Sequence, residues 1–85
     1  MTAAGPYRLH IGPALLNTAR RLNRDERREL RRLLALVQQD PFIDGVHKIL
    51  LAPDAPFTTY VSPLLYLFFY VEGGTIFAVD AEPAT

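Results

Sequence analysis

The side chains with chemistry to offer are unevenly placed along the chain. Seven arginines, Arg20, Arg21, Arg24, Arg27, Arg28, Arg31 and Arg32, fall between positions 20 and 32. A guanidinium binds phosphate or carboxylate through paired hydrogen bonds. The cluster therefore fits a surface that faces nucleic acid, ribosomal RNA among the candidates, held through backbone phosphates. It also fits a solvated helical face on which Asp25 and Glu29 pair locally at helical spacings. The solvated face is preferred, because exposed Arg-rich helices are common and no aromatic residue is interleaved for bases to stack on.

The other reactive groups make weaker patterns. The five glycines form no phosphate-binding loop. His10 and His47 are far apart with no third ligand at metal spacing, so they read as structural or surface residues and no metal is expected. The one serine, Ser62, precedes a proline in a turn, and nothing brings His10 or His47 to it. Asp25, Glu26 and Glu29 lie in the first turns of a helix, where negative charge complements the dipole. Asp80 and Glu82 read as exposed edge or tail residues. Phe57, Tyr60, Tyr66, Phe68, Phe69 and Tyr70 could stack on bases; the phenylalanines read as sheet core, and Tyr60 and Tyr66 remain open between core and base stacking.

Eighty-five residues with 49% hydrophobic and 21% charged content suit one folded domain spanning residues 1–85. The absence of cysteine excludes disulfides, zinc–thiolate sites and a cysteine nucleophile, and favours the cytoplasm. Met1 to Arg8 has no apolar run behind basic residues, so no signal peptide is expected. The densest apolar stretch, Leu64 to Val71, falls well short of the roughly 20 residues a membrane helix needs, so a soluble protein is expected. The net charge is zero but polarised. Residues 1–32 carry eight Arg against three acids, and residues 33–85 one Lys against six, which points to a polar partner for one face.

The elements that must position these groups follow from periodicity. Tyr7, Leu9 and Ile11 alternate with Arg8 and His10, the period of a strand with one buried face. Gly12-Pro13 ends it and opens a short helix with Leu15, Ala19 and Leu22 on one stripe. Asn23 followed by Glu26 is a capping-box variant, and Leu30, Leu33, Leu34 and Val37 define the apolar face of a second helix. Asp40-Pro41 stops it. The short link between the helices predicts an antiparallel helical hairpin. Beyond it, Val46–Leu51, Phe57–Val61, Leu64–Val71 and Thr75–Val79 read as strands, with Glu72-Gly73-Gly74 as a hairpin turn. Leu64–Val71 lacks polar alternation and reads as a central strand covered on both faces. Residues 1–5 and 81–85 read as frayed ends. The expected fold is α+β: an N-terminal strand, the helical hairpin, then an antiparallel meander of three or four strands.

Three segments in that order resemble the RelE/ParE toxin family of type II toxin–antitoxin systems. "LNRDERRELRRLLALVQQDP", Leu22 to Pro41, is similar to the family's leucine-led turn and long helix closing on Asp-Pro. "GVHKIL" resembles its Gly-x-x-Lys-Leu-like strand, and "YLFFYVEGGTIFAVD" its paired final strands. The match covers roughly residues 7–80.

The resemblance implies two helices on a curved antiparallel sheet and a cognate antitoxin wrapped around it. Members that cut messenger RNA on the ribosome use Lys, Arg, His, Glu or Tyr side chains on the sheet to activate a ribose 2′-hydroxyl and stabilise phosphate charge. Here the chain departs: Tyr66 stands where the family commonly has Arg, a basic position is replaced near Tyr60, and the end reads Asp80-Ala81-Glu82-Pro83-Ala84-Thr85. Lys48 is the one cation after Arg32. A toxin that acts by binding, on the translation machinery or on DNA gyrase, is therefore the leading expectation. A weak or unusual mRNA endonuclease is the alternative, with Lys48, His47, Tyr60 and Tyr66 as its catalytic set. A third is a non-catalytic module that homodimerises through the apolar strand. No cofactor is implied.

Overall fold

The computed structural model describes the backbone of residues 7–41, 46–52 and 55–84, and the side chains of residues 7–41 and 58–84. The described elements run β1 (Arg8–Ile11), α1 (Pro13–Arg21), α2 (Arg24–Gln39), β2 (Val46–Ala52), β3 (Ala55–Val61), β4 (Leu65–Glu72) and β5 (Thr75–Pro83).

The helix boundaries are set locally. Pro13 occupies the start of α1, where its missing N–H costs nothing. Gly12 before it donates its N–H to the Ala78 carbonyl at 3.0 Å, and a Cβ at Gly12 would sit 3.4 Å from that same oxygen. At the other end Leu22 and Asn23 form the whole link to α2. Asn23 Oδ1 accepts from the Glu26 N–H at 2.8 Å while Glu26 Oε1 accepts from the Asn23 N–H at 2.9 Å, so the reciprocal cap expected from the sequence is complete. Leu30, Leu33 and Val37 are buried, with Leu34 and Leu36 partly so.

The five strands form one sheet in the order β1-β5-β4-β3-β2. β2 to β5 make the expected antiparallel meander, here with four strands. β1 lies beside β5 in parallel, Arg8 opposite Thr75 and Ile11 opposite Ala78, so the sheet is mixed. Parallel neighbours need a long crossover, and here everything between the first strand and the last serves as one. The start of β1 is also tied to α2: the Tyr7 N–H donates to the Gln38 carbonyl and Gln38 Nε2 donates to the Tyr7 carbonyl, each at 2.8 Å. Gly73 and Gly74 connect β4 to β5 with φ of 58° and 79°, the sign that a tight two-residue hairpin demands.

Both helices pack on one face of the sheet, α1 against β5 and α2 against β4 and β5. Leu65, Leu67 and Phe69 of β4 and Ile76, Ala78 and Ala81 of β5 meet Leu15, Leu22, Leu30, Leu33 and Val37 there. The step from Ala78 to Ala81 is three residues instead of two because β5 carries a bulge. Phe69 pairs with Ala78 and Phe68 with Asp80, which leaves Val79 as the inserted residue.

Two expectations need correction. β4 is central, but among the described residues the helices cover one of its faces only: Leu65, Leu67 and Phe69 are fully buried, Tyr66 and Phe68 half-buried, and Tyr70 is 37% exposed. Leucine and the aromatic residues all count as apolar, so the alternation of faces was invisible in hydropathy. The end of the described chain is not frayed either. β5 runs to Pro83, Ala81 is buried, and the Ala84 N–H donates to the Leu64 carbonyl at 2.9 Å. Residues 1–5 lie outside the described residues.

Candidate functional site

Two surfaces hold the residues singled out above: the outward side of the helices and the sheet face that the helices leave uncovered.

On the helices, Arg20 and Arg21 close α1 and Arg24, Arg27, Arg28, Arg31 and Arg32 run along α2, all seven exposed. The Leu30-Leu33-Val37 stripe drives one side of α2 into the core, so the arginines at the remaining helical positions are turned to solvent. An ion pair joins two residues of this face. Arg32 Nε and Nη2 donate to Glu29 Oε1 and Oε2 at 2.7 and 2.8 Å, a bidentate contact one turn apart. It holds the Glu29 carboxyl below the ordinary glutamate range, with a smaller contribution from the Ser62 hydroxyl and desolvation opposing both. The same bond raises the Arg32 guanidinium, with Tyr60 a weaker contributor. Asp25, expected to help neutralise the face, makes no ion pair among the described residues.

Arg27 is held differently. Its Nε donates to the Leu22 carbonyl at 3.1 Å, so its guanidinium is anchored at the link between the helices. Arg24, Arg27 and Arg31 together line an open hollow of about 300 Å³.

On the sheet, the face away from the helices carries a row of rings. Tyr70 stacks on Phe77 with centroids 4.9 Å apart and planes 13° from parallel, and His10 tilts against the other side of Phe77 at 5.4 Å. These three residues are cross-strand partners on β1, β5 and β4. Phe68 and Tyr66 continue that face along β4, and no described element lies across it.

The four residues named for catalysis are divided by the strand register. Tyr66 pairs with Val61 and Glu82 on the uncovered face. Tyr60 pairs with Leu67 and packs against the core beneath α2. His47 is opposite Thr59, and Lys48 is opposite Thr58. Successive residues of a strand belong to opposite faces, so His47 shares the rank of Phe68 and Lys48 the rank of Phe69. The side chains of His47, Lys48 and Phe57 lie outside the described residues. Ser62 is spent on structure: its Oγ donates to the Leu65 carbonyl at 3.0 Å and accepts from the Leu65 N–H at 3.1 Å, which shapes the turn before β4. Among the described residues no group of three His, Asp or Glu could hold a metal.

Asp80, expected as an exposed edge or tail residue, is neither exposed nor in a tail. It is half-buried on the bulge of β5, where Asp80 Oδ1 accepts from the Thr18 hydroxyl at 2.6 Å and from the Ala81 N–H at 2.8 Å. Glu82, expected as an edge or tail residue, is exposed but pairs with Tyr66 within β5. Nothing local in the sequence links Thr18 to a residue 62 positions away.

No protein-family model and no curated protein matches the sequence. Solved structures do match the fold. The RelBE2 toxin–antitoxin complex of Mycobacterium tuberculosis aligns over 92% of this chain and 91% of the matched chain, with a TM-score of 0.79 and 9% identity. The RelE–RelB complex of the archaeon Pyrococcus horikoshii aligns over 93% and 96%, with a TM-score of 0.75 and 14% identity. A double arginine-to-alanine mutant of the E. coli toxin RelE in the free state aligns over 94% and 85%, with a TM-score of 0.68 and 23% identity. Over nearly its whole length, and with very little shared sequence, this chain has the fold of the RelE toxins.

Proposed function

We propose that this chain is the toxin of a type II toxin–antitoxin pair and that it acts by binding its target. The observation that carries the reading is a shared fold over more than nine tenths of the chain with RelE proteins that were solved with RelB partners. The partner proposed here is a cognate antitoxin. Translation machinery and gyrase are both candidate targets, and the fold does not choose between them.

Binding is preferred to RNA cleavage on charge and register. Cleavage beside a ribose 2′-hydroxyl builds negative charge on phosphate and calls for a cation at that point. Lys48 is the one cation after Arg32, and its rank in the sheet is not that of Tyr66. The described residues of β3, β4 and β5 include no Lys or Arg. No described helix is long and apolar enough to cross a membrane.

The test is induced expression in a bacterial host, with pulse labelling of protein and DNA synthesis. Growth arrest, relieved by co-expression of a cognate antitoxin, is the expected result. The synthesis that fails first identifies the ribosome or gyrase. Normal growth with folded protein present at high level, in a close relative of the source organism, would sink the reading.

A further inference from the structure

β5 outruns its neighbour. β1 accompanies it from Thr75 to Ala78, and Val79 to Pro83 have no strand on that side among the described residues. An unpaired strand edge offers its N–H and C=O groups to any other strand, a second copy of the same chain included. Two bonds decide which groups this edge presents. The Gly12 N–H donates to the Ala78 carbonyl at 3.0 Å, so Ala78 faces β1. The Ala84 N–H donates to the Leu64 carbonyl at 2.9 Å, so Ala84 faces β4. Backbone groups alternate sides along a strand, which turns Glu82 towards β4 and leaves Ala81 and Pro83 outward. The bulge makes this change of phase: without the inserted Val79, Asp80 and Glu82 would face outward.

Neither outward position has a donor to offer. The Ala81 N–H is bonded to Asp80 Oδ1 at 2.8 Å, and proline has none. Asp80 is itself held in place by the Thr18 hydroxyl. Glu82 is exposed and puts a second carboxylate on the same short stretch. At the other end of this margin, Gln38 occupies both outward groups of Tyr7, its carbonyl accepting and its Nε2 donating, each at 2.8 Å.

We propose that Asp80 and Pro83 close the free edge of β5 against pairing with a second copy of this chain. The inference stands on the hydrogen bonds of this edge and does not rest on the toxin reading. Two copies meeting here about a two-fold axis present the same groups to each other. Each brings the carbonyls of Ala81 and Pro83, and neither brings an N–H, so no backbone ladder forms between them. The carboxylates of Asp80 and Glu82 would also approach those of the partner copy, and like charges across paired strands are destabilising. A strand of different sequence could still donate to the two carbonyls. The closure is therefore directed at self-pairing.

The experiment compares sedimentation of the purified full chain and of Asp80→Ala/Pro83→Val over a wide range of concentration, with amide exchange followed residue by residue by NMR. The double variant frees two donors per copy and is expected to self-associate at least about tenfold more tightly than the unaltered chain. In the associated species the amides at positions 81 and 83 are expected to be protected from exchange. Thr18→Val loosens the bulge but leaves Asp80 on the Ala81 N–H, so it is expected to sediment as the unaltered chain does. Pro83→Val alone keeps every bond of Asp80 and is expected to shift association in the same direction by less. It decides the question where circular dichroism shows the double variant unfolded. Unchanged association in the folded variants overturns the proposal. An equal gain in Thr18→Val overturns it by tracing association to loosening. Association that leaves positions 81 and 83 unprotected overturns it in favour of another surface. Growth arrest does not bear on these outcomes, so failure here is distinct from failure of the toxin reading.

Discussion

The hydroxyl of Thr18 donates to the Asp80 carboxylate at 2.6 Å, joining the middle of α1 to the bulge of β5. Thr18 is 8% exposed, so the bond is shielded on the helix side. The bulge at Val79 changes the phase of β5, and Asp80 anchors it where the strand leaves the protection of β1.

A hydrogen bond to an ionised group contributes about 1.5–3 kcal/mol. Thr18→Val keeps the shape and removes the donor, so it is expected to lower stability by that amount. The urea midpoint should fall with the m-value unchanged. Asp80→Asn retains an acceptor and should cost less. An equal or larger loss for Asp80→Asn would show that the Thr18 bond is not what Asp80 contributes.

The Glu29–Arg32 pair makes a pH-dependent contribution. The Arg32 bond, aided by Ser62, holds the folded Glu29 carboxyl below its ordinary value of 4.5. The native state therefore takes up this proton less readily than the unfolded chain. The stabilisation is complete above about 4.5 and is lost as pH falls through the depressed value. Arg32 is 54% exposed, which limits the pair to at most about 1 kcal/mol. Arg32→Gln is expected to lower stability by that small amount from pH 7 to 5, with the difference vanishing in stronger acid. Chemical denaturation across that range checks it, and a constant difference down to pH 2 would contradict it.

Gly74 has φ of 79° and nothing within 4 Å of where a Cβ would lie. Gly74→Ala therefore meets no clash, and its cost is the backbone conformation alone, about 1–2 kcal/mol. For a domain of this size that is a fall in Tm of roughly 4–8 °C per kcal/mol. Gly73→Asn is expected to be nearly neutral, because Asn-Gly suits this turn. Thermal melts of both variants separate the turn geometry from a general intolerance of side chains.

The features readable from the sequence are those with local causes. Asn23 and Glu26 are three residues apart and close their own cap. The Leu30-Leu33-Val37 stripe needs the helix period alone, and Gly73-Gly74 announces its turn by composition. What sequence reasoning missed depends on partners distant in the chain. Thr18 and Asp80 carry no mark of each other. The parallel pairing of β1 with β5 has no local signature, and the bulge at Val79 appears only against Phe68 and Phe69. Of the candidate site residues, the arginines were identified by count, but the separation of Arg32, paired, from Arg24, Arg27 and Arg31, unpaired with acid among the described residues, is a matter of side-chain geometry.

The position of β5 bears on how the chain is made. It is the last described element in the sequence, yet it lies inside the sheet and supplies Ile76, Ala78 and Ala81 to the core. Until it leaves the ribosome, β1 has no strand to lie against and α1 has no surface to cover. Assembly must wait for contacts distant in sequence, which slows folding. A nascent chain halted before Thr75 would display Leu15, Leu67 and Phe69 to its surroundings, so synthesis through β5 is the condition for a folded core.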